Sequence, residues 1–262
     1  MDIYRFHKGH LPLLISTPHA GVYIPDSITC NMTDVGRRSV DSDRHMDKLY
    51  NFALDMGASM LVANHSRYVV DLNRPKDDVN LYPGQDTTGL CPVDSFDHAP
   101  LYKAGYAFDD LEIDTRTAKY WQPYHDKLSA ELARLKQVHG YALLWDGHSI
   151  KSTVPRFFEG RLTDLNLGTV DGNSCGVGIG DALLSTAKKA PEYSAVLNGR
   201  FKGGYITRHY GDPANHIHAV QLELSQITYM DEGAPFHYRS DLAKNIQPTL
   251  KTLLECFLMG NY

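Results

Sequence analysis

Two short stretches carry the residue types of a metal site. Trp145-Asp146-Gly147-His148-Ser149 sets an acid, a glycine and a histidine directly after the apolar run Tyr141-Ala142-Leu143-Leu144. Leu13-Leu14-Ile15-Ser16-Thr17-Pro18-His19-Ala20-Gly21 has the same form: an apolar run, a turn, and a histidine beside a glycine. Short apolar runs bounded by glycine read as buried strands, and in open α/β sheets ligands bind beyond the carboxyl ends of the strands. Either histidine alone could equally be a capping or core-edge residue. Two strand-end histidines, however, can converge on one ion. A hydrolytic zinc site keeps three protein ligands and leaves the fourth position to water. The ion lowers that water's pKa toward about 7 and polarises the carbonyl under attack. Asp43 is the candidate third ligand, with Asp41 and His45 near enough in sequence to take its place.

Such chemistry also needs a carboxylate that takes the proton of the attacking water and passes it to the leaving amine. Glu223 stands alone among the apolar residues of His218-Ala219-Val220-Gln221-Leu222-Glu223-Leu224-Ser225. A buried Glu is costly unless it is paired or used; an edge-strand Glu facing water is the plain alternative. Strand alternation puts Gln221, Glu223 and Ser225 on one side. Arg74 and Arg208 are candidate anion clamps, because Arg grips a carboxylate through two parallel hydrogen bonds. A structural salt bridge is the other reading for each.

The elements that must position these groups follow from periodicity. Strands are expected at the run before His19, at Ser59 to Ala63, at Tyr68 to Pro75, before His148, at Ser194 to Asn198, after the Gly203-Gly204 turn and at His218 to Ser225. Three-and-four spacing predicts a helix from Ser39 to Met56, which would carry Asp43 and Asp47 on one face. A long helix is marked by Tyr124, Leu128, Leu132, Leu135 and Val138, with Pro123 at or near its start. A shorter helix is expected near Ile179 to Lys189, and a last one from Tyr238 to Met259 with Pro248 inside. Lys76 to about Leu111 is loop-rich, and loops that long in a compact domain tend to be lids or functional excursions. Alternating strands and helices predict an α/β fold in three layers, a mostly parallel mixed sheet with helices on both faces.

Composition narrows the class. With 262 residues and 42% hydrophobic residues, the chain can bury a sizeable core, and a single domain over residues 1–262 is expected. A net charge of -5 without a Lys/Arg run argues against a nucleic-acid partner. The N-terminal stretch lacks the apolar core of a signal peptide, and no run approaches the length of a membrane helix. Cys30, Cys91, Cys175 and Cys256 are scattered without a CxxC pair, as reduced thiols in a cytoplasmic protein would be.

Taken together, Ser16-Thr17-Pro18-His19-Ala20-Gly21, Asp41-Ser42-Asp43-Arg44-His45-Met46-Asp47, Ser66-Arg67-Tyr68-Val69-Val70-Asp71-Leu72-Asn73-Arg74-Pro75 and Leu144-Trp145-Asp146-Gly147-His148-Ser149 resemble the N-formylglutamate amidohydrolases. Asn198-Gly199-Arg200-Phe201-Lys202-Gly203-Gly204-Tyr205-Ile206-Thr207-Arg208-His209-Tyr210-Gly211 and Gln221-Leu222-Glu223-Leu224 continue the resemblance, which covers nearly the whole chain in the same order. It implies metal-dependent hydrolysis of N-formyl-L-glutamate to formate and L-glutamate, as in bacterial histidine degradation. More distantly, the order His, Asp-Leu-Asn-Arg, His, Glu is similar to the zinc carboxypeptidase and aspartoacylase group. That similarity implies a hydrolase-like, zinc-exopeptidase-like fold, one divalent ion (zinc first), a substrate carboxylate on Asn73 and Arg74, a second substrate contact at Arg208, and Glu223 as general base. One departure matters: that group takes its carboxylate ligand three residues after the first histidine, where this chain has Val22. Asp43 therefore rests on the nearer family's Asp motif. The alternatives are a deacylase of another N-acyl amino acid, or a non-catalytic domain that binds small anions.

Overall fold

In the computed structural model, which describes residues 1–81 and 84–260, seven strands form one mixed sheet in the order β1-β3-β2-β4-β7-β5-β6. The strands are β1 (Tyr4–His7), β2 (Leu13–Thr17), β3 (Ser59–Ala63), β4 (Ala142–Ile150), β5 (Leu165–Gly168), β6 (Ala195–Leu197) and β7 (Ile217–Ser225). β2 is parallel to β3 and β4, β4 to β7, and β5 to β6; β1 and β5 run antiparallel to β3 and β7. β4 is buried along its whole length and β7 nearly so, as strands covered on both faces must be.

Alternation along the strands sorts side chains into two cores. Leu13 and Ile15 of β2, Leu143 and Trp145 of β4, and Val220, Leu222 and Leu224 of β7 pack on α9 (Ser240–Leu258) and its neighbours. Leu14, Ala142, Leu144 and Ala219 point the other way, onto Tyr124, Leu128, Leu132 and Leu135 of α6 (Gln122–His139). Burying each such Leu contributes about 1.5–3 kcal/mol. The expected three layers are present. The same parity sends Asp146 and His148 of β4, and Gln221 and Glu223 of β7, to the α6 side.

Four local expectations are corrected. Ser39 to Met56 is not one helix but two short ones, α3 (Met46–Leu49) and α4 (Phe52–Met56); His45 before them has a left-handed φ of 66°. Asp43 therefore lies in the turn ahead of α3, and Asp47 is ion-paired to Arg5 at 2.8 Å. Tyr68 to Pro75 is a chain of turns, because side chains take over its backbone groups: Ser66 Oγ accepts from Tyr68 N–H and Asp71 Oδ1 from Asn73 N–H. After Gly203-Gly204 the chain forms α8 (Tyr205–Tyr210), not a strand, since Asn73 Oδ1 accepts the Ile206 N–H at its first turn. Finally, β4 continues through His148 to Ile150, so this histidine sits inside the strand.

The segment from Lys76 stays irregular up to α5 (Asp110–Arg116); its residues Tyr82 and Pro83, like Asn261 and Tyr262 of the expected domain, lie outside the described residues. A π-helical turn over Thr117–Trp121 joins α5 to α6, a feature frequent near functional sites. It brings the Trp121 indole N–H to the Arg74 carbonyl at 2.9 Å. α7 (Ile179–Ala187) and α9 match their expected positions, and α9 runs on through Pro248. Among the described residues no helix is long and apolar enough to cross a membrane.

Candidate active site

His19, Asp43 and His148 converge. One donor atom of each lies within 4.8 Å of the others, and all three residues are buried. His19 leaves the end of β2 on a loop that packs directly against backbone: a Cβ on Gly21 would lie 2.4 Å from the His65 carbonyl oxygen. Asp43 is tied to that loop by its N–H, which donates to the His19 carbonyl at 2.9 Å, and its Oδ2 accepts the Ser149 N–H at 3.1 Å. Both histidines turn Nδ1 toward Asp43 Oδ2, at 3.7 Å from His19 and 3.3 Å from His148.

The opposite ring nitrogens each face a carboxylate. His19 Nε2 lies 2.7 Å from Asp71 Oδ1, and His148 Nε2 lies 3.1 Å from Asp146 Oδ1. A carboxylate on the far nitrogen fixes ring orientation and raises ligand basicity, as it does for metal-binding histidines generally. Asp71 is itself clamped by Arg67 at 2.6 Å, and Asp146 accepts from Thr207 Oγ1 at 2.9 Å. Burial would raise the Asp71 carboxyl, but Arg67 and His19 outweigh it and hold it well below the usual carboxylate range. These orienting acids were not singled out in the sequence, although Asp71 stands two residues before Asn73 and Asp146 two before His148.

The cluster also fits a cation by what it lacks. Buried His19 Nδ1 and Asp43 Oδ1 have no hydrogen-bond partner among the described residues, and unpaired buried polar atoms are costly. Burial, then Arg67, lowers the His19 pKa, which favours the neutral imidazole a metal needs. His148 differs: burial alone would lower it, but Asp146 and Asp43 raise it well above its usual value. A proton and a metal compete for the same side of that ring, and the surrounding carboxylates favour a positive charge of either kind. The chain thus holds a His19–Asp43–His148 set able to take one ion. Asp41 and His45 are engaged elsewhere: Asp41 accepts from Tyr68 Oη and Phe96 N–H, and His45 bonds the Phe236 carbonyl.

Glu223 lies opposite His148 in the β4–β7 register and is buried in an interior strand, so it is no edge-strand residue. Its Oε2 accepts from Gln221 Nε2 at 3.1 Å. Burial pushes its carboxyl up to about 8; His148 pulls it down and Asp43 pushes it further up. Glu223 and the two histidines line one shared cavity. Asn73 lines it too, but its Nδ2 lies 3.1 Å from His148 Nε2 and its Oδ1 is used by α8. The contact with α8 is close: a Cβ on Gly204 would sit 2.3 Å from Asn73 Nδ2, so any larger residue would push the Asn73 amide away. Arg74 also lines the cavity. Arg208 is not among its lining residues; its Nε donates to the Gly203 carbonyl at 2.9 Å, whereas Arg67 and Arg200 do line the cavity.

This chain matches the family model described as N-formylglutamate amidohydrolase over residues 11–230. The chain belongs to the N-formylglutamate amidohydrolase family. It is an enzyme, a hydrolase of an amide C–N bond. Among relatives of this family, the N-formylglutamate deformylase of Pseudomonas putida is 52% identical over 256 residues, covering 98% of this chain and 96% of the relative. That of Pseudomonas aeruginosa is 51% identical over 257 residues with the same coverage. The fold matches the crystal structure of an N-formylglutamate amidohydrolase from Ralstonia eutropha JMP134, with a TM-score of 0.83, 24% identity and 98% of both chains covered.

Two expectations arise directly from this amidohydrolase site. Replacing Asp71 with Asn should weaken metal binding about 10- to 100-fold by loosening the His19 ring; chelator competition measures it, and an unchanged affinity would contradict the orienting role. The long segment contributes Asp86, Thr87, Thr88 and Phe96 to the cavity wall, and half-buried Arg156 fastens it through Asp86 at 2.9 Å and Asp94 at 3.0 Å. If it closes over substrate, limited proteolysis within residues 76–111 should slow when a non-hydrolysable analogue is bound. Equal cleavage rates would mark it as a static wall.

Proposed function

We propose that this chain is the N-formylglutamate deformylase of histidine degradation, acting in the cytoplasm with one divalent metal, zinc first. The observation that supports the chemistry is that Glu223 lines one cavity with His19 and His148, two members of the His19–Asp43–His148 cluster. The substrate is inferred from the names of relatives that match almost end to end. Four free cysteines are in keeping with a reducing compartment.

His19, Asp43 and His148 would hold the ion, which when bound supplies Lewis acidity, activating a water and polarising the formyl carbonyl. Cobalt, manganese or iron would also suit two imidazoles and a carboxylate. Glu223 accepts the proton of the attacking water and returns it to the departing nitrogen as the C–N bond breaks, giving formate and L-glutamate. Asp71 and Asp146 keep the two rings in place, and Asn73, bridging His148 and α8, joins the substrate pocket to that frame. Arg74 grips a substrate carboxylate.

Formate release from N-formyl-glutamate, compared with N-formyl-aspartate and N-acetyl-glutamate, with and without chelator, tests this reading. Chelator-sensitive release favouring N-formyl-glutamate is expected. Preference for an acetyl group would favour the other deacylase reading, and no turnover of any of them would contradict the proposal.

A further inference from the structure

The substrate proposed above carries two carboxylates, and the cavity has to tell them apart. One is next to the reacting amide; the other lies two methylenes away. The cations at the cavity are not equivalent. Arg67 is committed to Asp71. Arg74 follows Asn73, and its N–H bonds the carbonyl of Asp71, the residue whose carboxylate meets His19, so its backbone lies close to the His19–Asp43–His148 cluster. Arg200 comes from the opposite end of the sheet, three residues after β6, which is the edge strand.

The surroundings of Arg200 fit a side chain rather than a reacting centre. Its Nε donates to the Phe157 carbonyl at 2.6 Å, and its guanidinium lies 5.9 Å from the Phe157 ring and 5.4 Å from the Phe201 ring. Those contacts fix the plane of the guanidinium. Phe157 in turn meets Phe96 edge-on at 4.9 Å, and all three rings line the cavity with Arg200. Phe96 belongs with Ile150, Val154 and Leu162 to one small apolar cluster, against which Phe157 and Phe201 pack. Asp86, an acid that also lines the cavity, is ion-paired to Arg156. An apolar wall that ends in an oriented cation suits two methylenes ending in a carboxylate, since the methylenes pack on the rings and the charge meets a planar fork.

We propose that Arg200 is the specificity-determining residue that reads the side-chain carboxylate of the N-formyl amino acid, with Arg74 holding the α-carboxylate. The inference rests on the deformylase reading and goes beyond it, by assigning each carboxylate its own clamp. It also replaces Arg208 with Arg200 as the second clamp.

The test compares two substrates of equal length, N-formyl-glutamate and N-formyl-glutamine, which differ only in the charge of the side chain, in wild type, Arg200→Gln and Arg74→Gln. Wild type should favour the charged substrate in kcat/KM by at least about 30-fold, the usual scale for a lost charge-assisted contact. Arg200→Gln should collapse that ratio toward one, whereas Arg74→Gln should lower both substrates by similar factors and keep it. Because each ratio is taken within one preparation, a smaller folded fraction does not alter it. Retention of the wild-type ratio by Arg200→Gln, equal loss of both substrates, or no discrimination by wild type would each overturn the inference. Failure of the deformylase reading shows up separately, as no formate from N-formyl-glutamate in wild type.

Discussion

Replacing His148 with Ala should leave less than about 0.1 equivalent of metal on the purified protein and lower turnover by at least about 1000-fold. The first effect follows from the donor count: His19 and Asp43 alone are two ligands where a catalytic zinc uses three. The second follows from the several kcal/mol of charge stabilisation that such an ion supplies, each 1.4 kcal/mol being about tenfold in rate. The sheet should survive, because β4 keeps its pairing with β2 and β7 and its apolar residues are untouched. Elemental analysis beside far-ultraviolet circular dichroism measures both. A folded His148→Ala protein with full metal and normal turnover would remove His148 from the site.

Glu223→Gln separates binding from chemistry. The amide is the same size and can still pair with Gln221, so substrate should bind with little change while kcat falls by at least about 100-fold. The pH dependence follows from the same carboxyl. A general base must be ionised, so activity should rise as pH increases through its pKa. Burial sets that pKa near 8 without an ion, and a cation at the neighbouring cluster attracts the carboxylate and lowers it. The acid limb of kcat/KM should therefore fall at or below about 8 and vanish in Glu223→Gln. Near-normal kcat in this variant would contradict the assignment.

Both histidines of the cluster were legible in the sequence, because an apolar run followed by a histidine close to a glycine recurs at His19 and His148, although β4 runs on past His148 to Ile150. Glu223 was legible for a different reason: one acid in an apolar strand, on the same parity as Gln221. What escaped was set by contacts between distant segments. Tyr68 to Pro75 has the apolar content of a strand, yet Ser66 and Asp71 capture its N–H groups. The Gly203-Gly204 stretch reads as a turn into a strand, and becomes the start of α8 only because Asn73, about 130 residues earlier in the chain, accepts its first-turn N–H. β1 did have a signal, since Tyr4-Arg5-Phe6-His7 alternates, and its exposed side chains match an edge strand. β5, four residues long and wholly buried, offered no period to read. Arg208 and Arg200 are indistinguishable by composition; only the path of the chain after β6 puts Arg200 on the cavity wall.

In the function proposed for this chain, one divalent ion held by His19, Asp43 and His148 makes it a hydrolase of N-formyl-glutamate. Titrating chelator-stripped protein with zinc while following formate release tests it most directly. Activity should begin near zero, climb in proportion to added metal and level off at one equivalent per chain. Full activity in the stripped protein, or no restoration at one equivalent of zinc, cobalt, manganese or iron, would contradict it.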